Sequence, residues 1–146
     1  MVDVEVRSAS FAELSAETAY RIWQLRTAVF VVEQACAYQE LDGRDLEPGT
    51  RHLWVPDGEN VVAYLRVLVE SDTVARVGRV CVAAPARSRG LARRLVLAAH
   101  AQLGQRVVVL DAQSYLAVWY EGLGYEVAGP EFVEDGIPHV PMRRTP

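Results

Sequence analysis

The sequence predicts a mixed α/β domain in which a mostly antiparallel sheet is flanked by helices and includes one parallel crossover. Three apolar runs at residues 52–55, 61–70 and 74–82 are separated by short turns, a pattern typical of an antiparallel meander. A helical stripe ending at Gly104 is followed directly by the buried-strand run 107–110, and such a strand–helix–strand unit implies parallel pairing. The length of 146 residues with 51% hydrophobic composition predicts one domain spanning 1–146.

The segments before the meander predict a strand, a helix and a long loop. Val2, Val4 and Val6 alternate with charged residues, which is the period of a half-buried strand. Residues 17–32 place apolar side chains at helical spacing and predict one continuous helix. Residues 33–50 show turn signals without a period and predict a loop with at most one helical turn.

That loop carries an excess of acidic residues. Two interpretations are open: the loop attracts a cationic amine, or it is simply solvated. The acidic residues, set against Arg44 alone, are Glu33, Glu40, Asp42, Asp45 and Glu47.

A basic, glycine-containing segment follows the third strand of the meander; we call residues 87–92 the arginine turn. A strand that runs into a helix start presents free backbone N–H groups and the positive end of the helix dipole, which attract anions. Gly90 lets the backbone approach a phosphate closely. Additional donors come from Arg87, Ser88, Arg89 and Arg93. The alternative is an ordinary connection with solvated arginines.

The remaining segments predict a short helix over 114–121, ending at Gly122 or Gly124, and two strands near 125–128 and 139–143. The exposed edges of these last strands would allow a homodimer.

Composition excludes several classes. The net charge of -4 argues against general attraction to nucleic acid or an anionic membrane, and all 15 basic residues are arginine. Cys36 and Cys81 are too few for a disulfide framework, and the three histidines are too scattered for a metal site. With no leader-like N-terminus and no apolar run near about 20 residues, we expect a cytoplasmic protein.

Two motifs together identify a family resemblance. The pattern Arg-x-x-Gly-x-Ala at residues 87–92 resembles the coenzyme A loop of the GNAT superfamily of N-acyltransferases, usually Gln/Arg-x-x-Gly-x-Gly/Ala. Residues 113–125, QSYLAVWYEGLGY, resemble its second signature, an Asn, then an Ala, then Tyr-x-x-x-Gly-Phe. Residues 25–34, 38–45 and 134–139 are similar to the ElaA-type branch, so the likeness covers nearly the whole chain.

The resemblance implies the GNAT fold, in which two central strands splay apart and the pantetheine arm of acetyl-coenzyme A lies in the gap. It implies that the backbone of residues 80–82 pairs with pantetheine. It also implies that Gln113 takes the position of the usual Asn and that the Tyr120 phenol protonates the departing thiolate. The implied cofactor-binding residues are Val80, Cys81, Val82, Arg87, Ser88, Arg89, Gly90, Leu91, Ala92, Arg93, Gln113 and Tyr120.

Direct acyl transfer also requires a group that takes a proton from the amine. Glu33 is the first candidate because it follows an apolar helix, and Asp111 competes, although we favour it as a helix cap. Glu33, His52 and His139 are the acceptor-site candidates. We do not expect Cys81 to be a nucleophile, since an apolar strand raises a thiol pKa.

The leading hypothesis is a metal-free N-acetyltransferase that uses acetyl-coenzyme A and a primary amine. A small amine, a peptide N-terminus and a protein lysine all remain open as acceptors. The alternatives are a non-catalytic acyl-coenzyme A binder or sensor and a phosphate-binding module for another nucleotide.

Overall fold

A computed structural model describes residues 4–146 and contains an open, eight-stranded sheet flanked by helices. The strands are β1 (Arg7–Ala9), β2 (Arg51–Asp57), β3 (Asn60–Val69), β4 (Val74–Val82), β5 (Val107–Gln113), β6 (Glu126–Val127), β7 (Phe132–Glu134) and β8 (Ile137–Arg144). The helices are α1 (Ala16–Arg26), a π-helix (Thr27–Glu33), α2 (Leu91–Leu103) and α3 (Ala117–Glu121). Short 3₁₀ turns lie at Phe11–Glu13, Arg44–Leu46, Ala84–Ala86 and Ser114–Leu116.

The central strands of the sheet separate along their length. The strand order is β1-β2-β3-β4-β5-β8-β6, with β7 also paired to β8, and β4 with β5 is the parallel pair. Their pairing covers only residues 74–76 of β4 and 107–109 of β5. Beyond Arg76 the two strands no longer pair, so the backbone of the second half of β4 is not paired with β5.

A bulge in β4 accompanies this separation. The β3–β4 register shifts between Tyr64 and Arg66, and Arg79 adopts a left-handed φ of 54°. An extra residue in one strand bends it and increases its local twist. The bulge therefore turns the end of β4 away from β5.

Each face of the sheet packs against one major helix, because alternate side chains of a strand point to opposite faces. Leu65 and Val77 pack with Leu95 and Val96 of α2 in the larger core. Tyr64 and Cys81, on the other face, belong to the cluster that contains Ile22 and Leu25 of α1 together with Val29.

The prediction of a helix over 17–32 is confirmed, but its second half is a π-helix rather than an α-helix. After Arg26 the chain continues as a π-helix, with the Gln34 N–H donating to the Val29 carbonyl at 3.2 Å. Apolar spacing over so short a segment does not distinguish the two helix types, because widening one turn from an i→i−4 to an i→i−5 bond changes the facing side chains by only one residue. π-helical segments are rare and frequently occur at functional sites.

Three further differences concern the ends of elements. The predicted strand at Val2, Val4 and Val6 begins only at Arg7; Val4 and Val6 pack against the larger core, and Val2 lies outside the described residues. The helix predicted over 114–121 divides into a 3₁₀ turn and α3. The short strand β7 was not predicted. Among residues 4–146, no helix is long and apolar enough to cross a membrane.

Candidate functional site

A cavity of about 700 Å³ occupies the opening between β4 and β5. Its walls come from the π-helix, the 34–42 segment, the free half of β4, the end of β5, α3 and the β7–β8 hairpin. Elements that are distant in sequence thus converge on the opening where β4 and β5 no longer pair.

The arginine turn ends in a helix start that has no side-chain cap. Gly90 is the residue before α2, with a φ of 73°, and no side chain caps the helix there. The first helical hydrogen bond runs from the Arg94 N–H to the Gly90 carbonyl at 3.1 Å, so the helix does not use the N–H groups of residues 91–93. These donors and the helix dipole suit a phosphate group.

Arg87 connects the arginine turn to the cavity. Its Nε donates to the Val82 carbonyl at 3.1 Å, and its Nη2 donates to Glu33 at 2.7 Å. This hydrogen bond lowers the pKa of Glu33 below its ordinary value. Glu33 therefore lies at the cavity, as predicted for an acceptor-site residue, but as an ionised partner of Arg87.

The free edge of β4 supplies backbone groups to the cavity. Val80, Cys81 and Val82 all line it, while Cys81 and Val82 pair with β3 on their other side. Burial raises the pKa of the Cys81 thiol, as expected for an apolar strand, so this thiol is a poor nucleophile.

Tyr120 lies on α3 at the cavity wall. Its ring packs edge-on against Trp119 and Tyr125, with centroid distances of 4.8 and 5.7 Å. Burial raises the pKa of Tyr120 to about 12, which keeps the phenol protonated at neutral pH. Within residues 4–146 its hydroxyl has no hydrogen-bond partner, so it is available as a donor.

Gln113 also reaches the cavity, at the end of β5. Its Nε2 donates to Oε1 of Gln34 at 3.3 Å, which links β5 to the residue that follows the π-helix. Sequence reasoning did not identify Gln34, since nothing in the pattern of 33–50 shows that the chain returns to β5.

Three carboxylates of the acidic loop are bound to arginines, and two of them, Glu40 and Asp45, are buried. Arg26 donates to Glu40 and to Asp45, both at 2.7 Å, and its side chain is fully buried. Arg66 binds Asp42 at 2.6 Å, and Arg79 binds Glu40 at 2.9 Å. We call these six residues the buried charge network: Arg26, Arg66, Arg79, Glu40, Asp42 and Asp45.

Neither interpretation of the acidic loop therefore holds for Glu40 and Asp45, whereas Asp42 is exposed although Arg66 binds it. Their partners come from α1, β3 and β4, which local sequence patterns do not bring together. These ion pairs hold the loop beside the opening between β4 and β5. Glu40 also binds Arg79 at the β4 bulge. The one helical turn predicted in this loop is confirmed at Arg44–Leu46.

His52 does not reach the cavity, which corrects its assignment to the acceptor site. The ring is buried; its Nε2–H donates to the Asp45 carbonyl at 3.1 Å, and its Nδ1 accepts from the Tyr64 hydroxyl. With both nitrogens occupied, His52 is a structural residue.

His139, by contrast, lines the cavity. It stands opposite Gln113 in the β5–β8 register, and its Nδ1–H donates to the Ile137 carbonyl at 2.7 Å.

Asp111 lies on β5 and binds Arg76 at 3.2 Å, so the expectation that it caps a helix is wrong. No cluster of metal-binding side chains occurs within residues 4–146.

The profile of the Acetyltransferase (GNAT) domain family matches residues 12–146. UPF0039 protein Rv2851c of Mycobacterium tuberculosis is 48% identical over 137 residues, covering 90% of this chain and 87% of that protein. Protein ElaA of Escherichia coli is 36% identical over 148 residues, covering 97% of this chain and 96% of ElaA.

Two crystal structures have nearly the same fold. The acyl-CoA N-acyltransferase of Pseudomonas aeruginosa superposes with a TM-score of 0.91 at 37% identity, covering 98% of this chain and all of that one. ElaA of E. coli superposes with a TM-score of 0.90, covering 97% of this chain and 99% of that one.

The fold is therefore that of the acyl-CoA N-acyltransferases, which the two motifs predicted. The chain belongs to the GNAT acetyltransferase family, and within it to the ElaA-type branch.

Proposed function

We propose that this protein is an N-acetyltransferase that uses acetyl-coenzyme A and transfers the acetyl group to a primary amine by direct attack on the thioester. One observation carries the proposal: the unpaired β4 edge leads from the uncapped start of α2 to the Tyr120 hydroxyl within one cavity. The acceptor is a small-molecule amine or an amine of a peptide or protein.

Each part of acetyl-coenzyme A has a matching part of the site. The pyrophosphate would bind the N–H groups at the start of α2, with Ser88, Arg89 and Arg93 around it. The amides of pantetheine would pair with the backbone of residues 80–82 as an added strand. The thioester then lies near α3, where Tyr120 would protonate the leaving thiolate.

The first test is calorimetric titration of the wild-type protein with acetyl-coenzyme A and with ATP. We expect micromolar binding of acetyl-coenzyme A and none of ATP. An Arg89→Glu, Gly90→Asp double variant should lose about 10- to 100-fold in affinity, because it repels the pyrophosphate and strains a left-handed position. Equal binding of ATP would instead favour a general nucleotide site.

The matched control is the Arg106→Glu, Gly104→Asp double variant at the opposite end of α2. It makes the same changes of charge, again at an exposed arginine and at a glycine with positive φ, here 58°. It should bind acetyl-coenzyme A like wild type. Equal losses of affinity in both double variants would show that charge or helix stability causes the loss, rather than a change at the N–H groups that start α2.

Turnover separates the enzyme from a non-catalytic sensor. Tyr120→Phe should keep acetyl-coenzyme A binding and lower thiol release with an accepted amine by about 10²-fold. Unchanged turnover at every pH would remove Tyr120 from the mechanism. Tight binding without turnover on any of a broad panel of amines would favour the sensor.

A further inference from the structure

The proposed reaction requires a proton acceptor for the amine, and the two carboxylates first considered are engaged. Glu33 binds Arg87 at 2.7 Å, and Asp111 binds Arg76 at 3.2 Å. A carboxylate that a guanidinium holds is a weaker base, because the positive charge stabilises its ionised form. The lowered pKa of Glu33 is consistent with this.

His139 has the geometry that an oriented base requires. Because its Nδ1–H donates to the Ile137 carbonyl at 2.7 Å, the neutral ring carries its lone pair on Nε2. The ring stacks on Phe132, with a centroid distance of 5.7 Å and an interplanar angle of 19°. Within residues 4–146 Nε2 has no hydrogen-bond partner, and the side chain lines the cavity.

His139 and Tyr120 line the same cavity. It pairs in register with Gln113, the last residue of β5, and α3 with Tyr120 follows shortly after Gln113 in the chain. The same cavity wall therefore includes a protonated phenol and an imidazole with a free lone pair. These are the two complementary groups that aminolysis of a thioester uses.

We propose that Nε2 of His139 accepts the proton of the attacking amine, an inference that rests on the proposed function. The amine lone pair forms the N–C bond, and the electron pair of the C–S bond leaves on sulfur. The amine proton passes to Nε2, and Tyr120 protonates the thiolate. Imidazolium and phenolate then return to their neutral forms by exchange with water, so the products are the amide and free coenzyme A.

Several other ionisable groups line the same cavity as His139. Asp111 comes from β5, Tyr115 from the 3₁₀ turn before α3, Tyr120 from α3, and Glu134 and Asp135 from the β7–β8 hairpin; Glu33 and Cys36 line the same cavity. Among these, His139 alone combines an imidazole with an unoccupied lone pair. Its contribution is therefore separable from theirs by substitution.

The test compares pH profiles of wild type, His139→Asn and His139→Ala, with thiol release from acetyl-coenzyme A measured against putrescine, tyramine and lysine amide. Asn keeps an amide N–H near the place of Nδ1 and retains the bond to Ile137 without providing a base. We expect kcat/KM to fall by about 10²–10⁴-fold at neutral pH. The extra loss of rate on the acid side should disappear, and imidazole should rescue His139→Ala.

The controls keep this inference separate from the proposed function. Calorimetry should show acetyl-coenzyme A binding within about twofold of wild type for both variants, since no backbone donor of the cradle is altered. A lower rate with the acid limb intact would indicate a structural role and overturn the assignment, as would an unchanged profile. No turnover by a wild-type protein that binds acetyl-coenzyme A would overturn both proposals.

Discussion

Two groups of arginines near the cavity differ in how fully their donors are used, and Arg66 and Arg79 line it from one group and Arg87 from the other. Arg26, Arg66 and Arg79 of the buried charge network meet three carboxylates, so the charges of that group balance. In the arginine turn, Arg87 holds one carboxylate and Arg89 donates only to the Pro85 carbonyl, at 3.4 Å. Buried arginines with carboxylate partners organise the fold, whereas exposed arginines with spare donors remain able to bind an anion.

The largest expected effect of this difference is on stability. Arg26→Met should lower the free energy of unfolding by about 3–5 kcal/mol, because it leaves Glu40 and Asp45 buried without their shared partner. Arg89→Met, in the arginine turn, should change it by no more than about 0.5 kcal/mol. Urea denaturation measures both. Similar values for the two variants would contradict the comparison.

Lowering the pH should also destabilise the buried charge network. Although burial opposes ionisation, hydrogen bonds from Arg66 and Arg26 hold the pKa values of Asp42 and Asp45 below their ordinary value. A lowered folded-state pKa gives stability that is present above the ordinary value of 3.8 and is lost as pH falls below it. Asp45→Asn should thus cost about 2 kcal/mol at pH 7 and progressively less toward pH 3.

Thermal denaturation from pH 7 to pH 3 provides the measurement. The control is Asp57→Asn, a substitution of an exposed aspartate at the end of β2, whose difference from wild type should stay small throughout. If the Asp45→Asn difference did not shrink in acid, ionisation of Asp45 would not be what stabilises the network.

The same contrast explains what sequence alone could predict. The arginine turn is contiguous, so its glycine, its arginines and the helix that follows are all visible in residues 87–103. The strand order around the crossover was also predictable, because it rests on local runs and one connection. These local signals led to the fold class and to the proposed cofactor half of the site.

The buried charge network and the acceptor side were not predictable in this way. Arg26, Arg66 and Arg79 are separated by tens of residues, and their partners lie in a loop without a period. The loop looked merely acidic because its neutralising charges come from other elements. His52 and His139 have similar local settings, and only the tertiary structure shows that the first is enclosed and the second faces the cavity.

The smallest expected effect concerns the one carboxylate that the arginine turn does hold. In the proposed complex acetyl-coenzyme A shares Arg87 with Glu33, so Glu33→Gln should release this guanidinium and tighten acetyl-coenzyme A binding by up to about fivefold. Glu59→Gln removes the same charge from the exposed β2–β3 turn and should leave the affinity unchanged. Calorimetry at low and moderate salt distinguishes them, since an exposed ion pair weakens as salt rises and the gain should shrink with it. A loss of affinity in Glu33→Gln would mean that Glu33 orients Arg87 for the pyrophosphate instead of competing with it, and the two groups of arginines would then differ less than their present partners indicate.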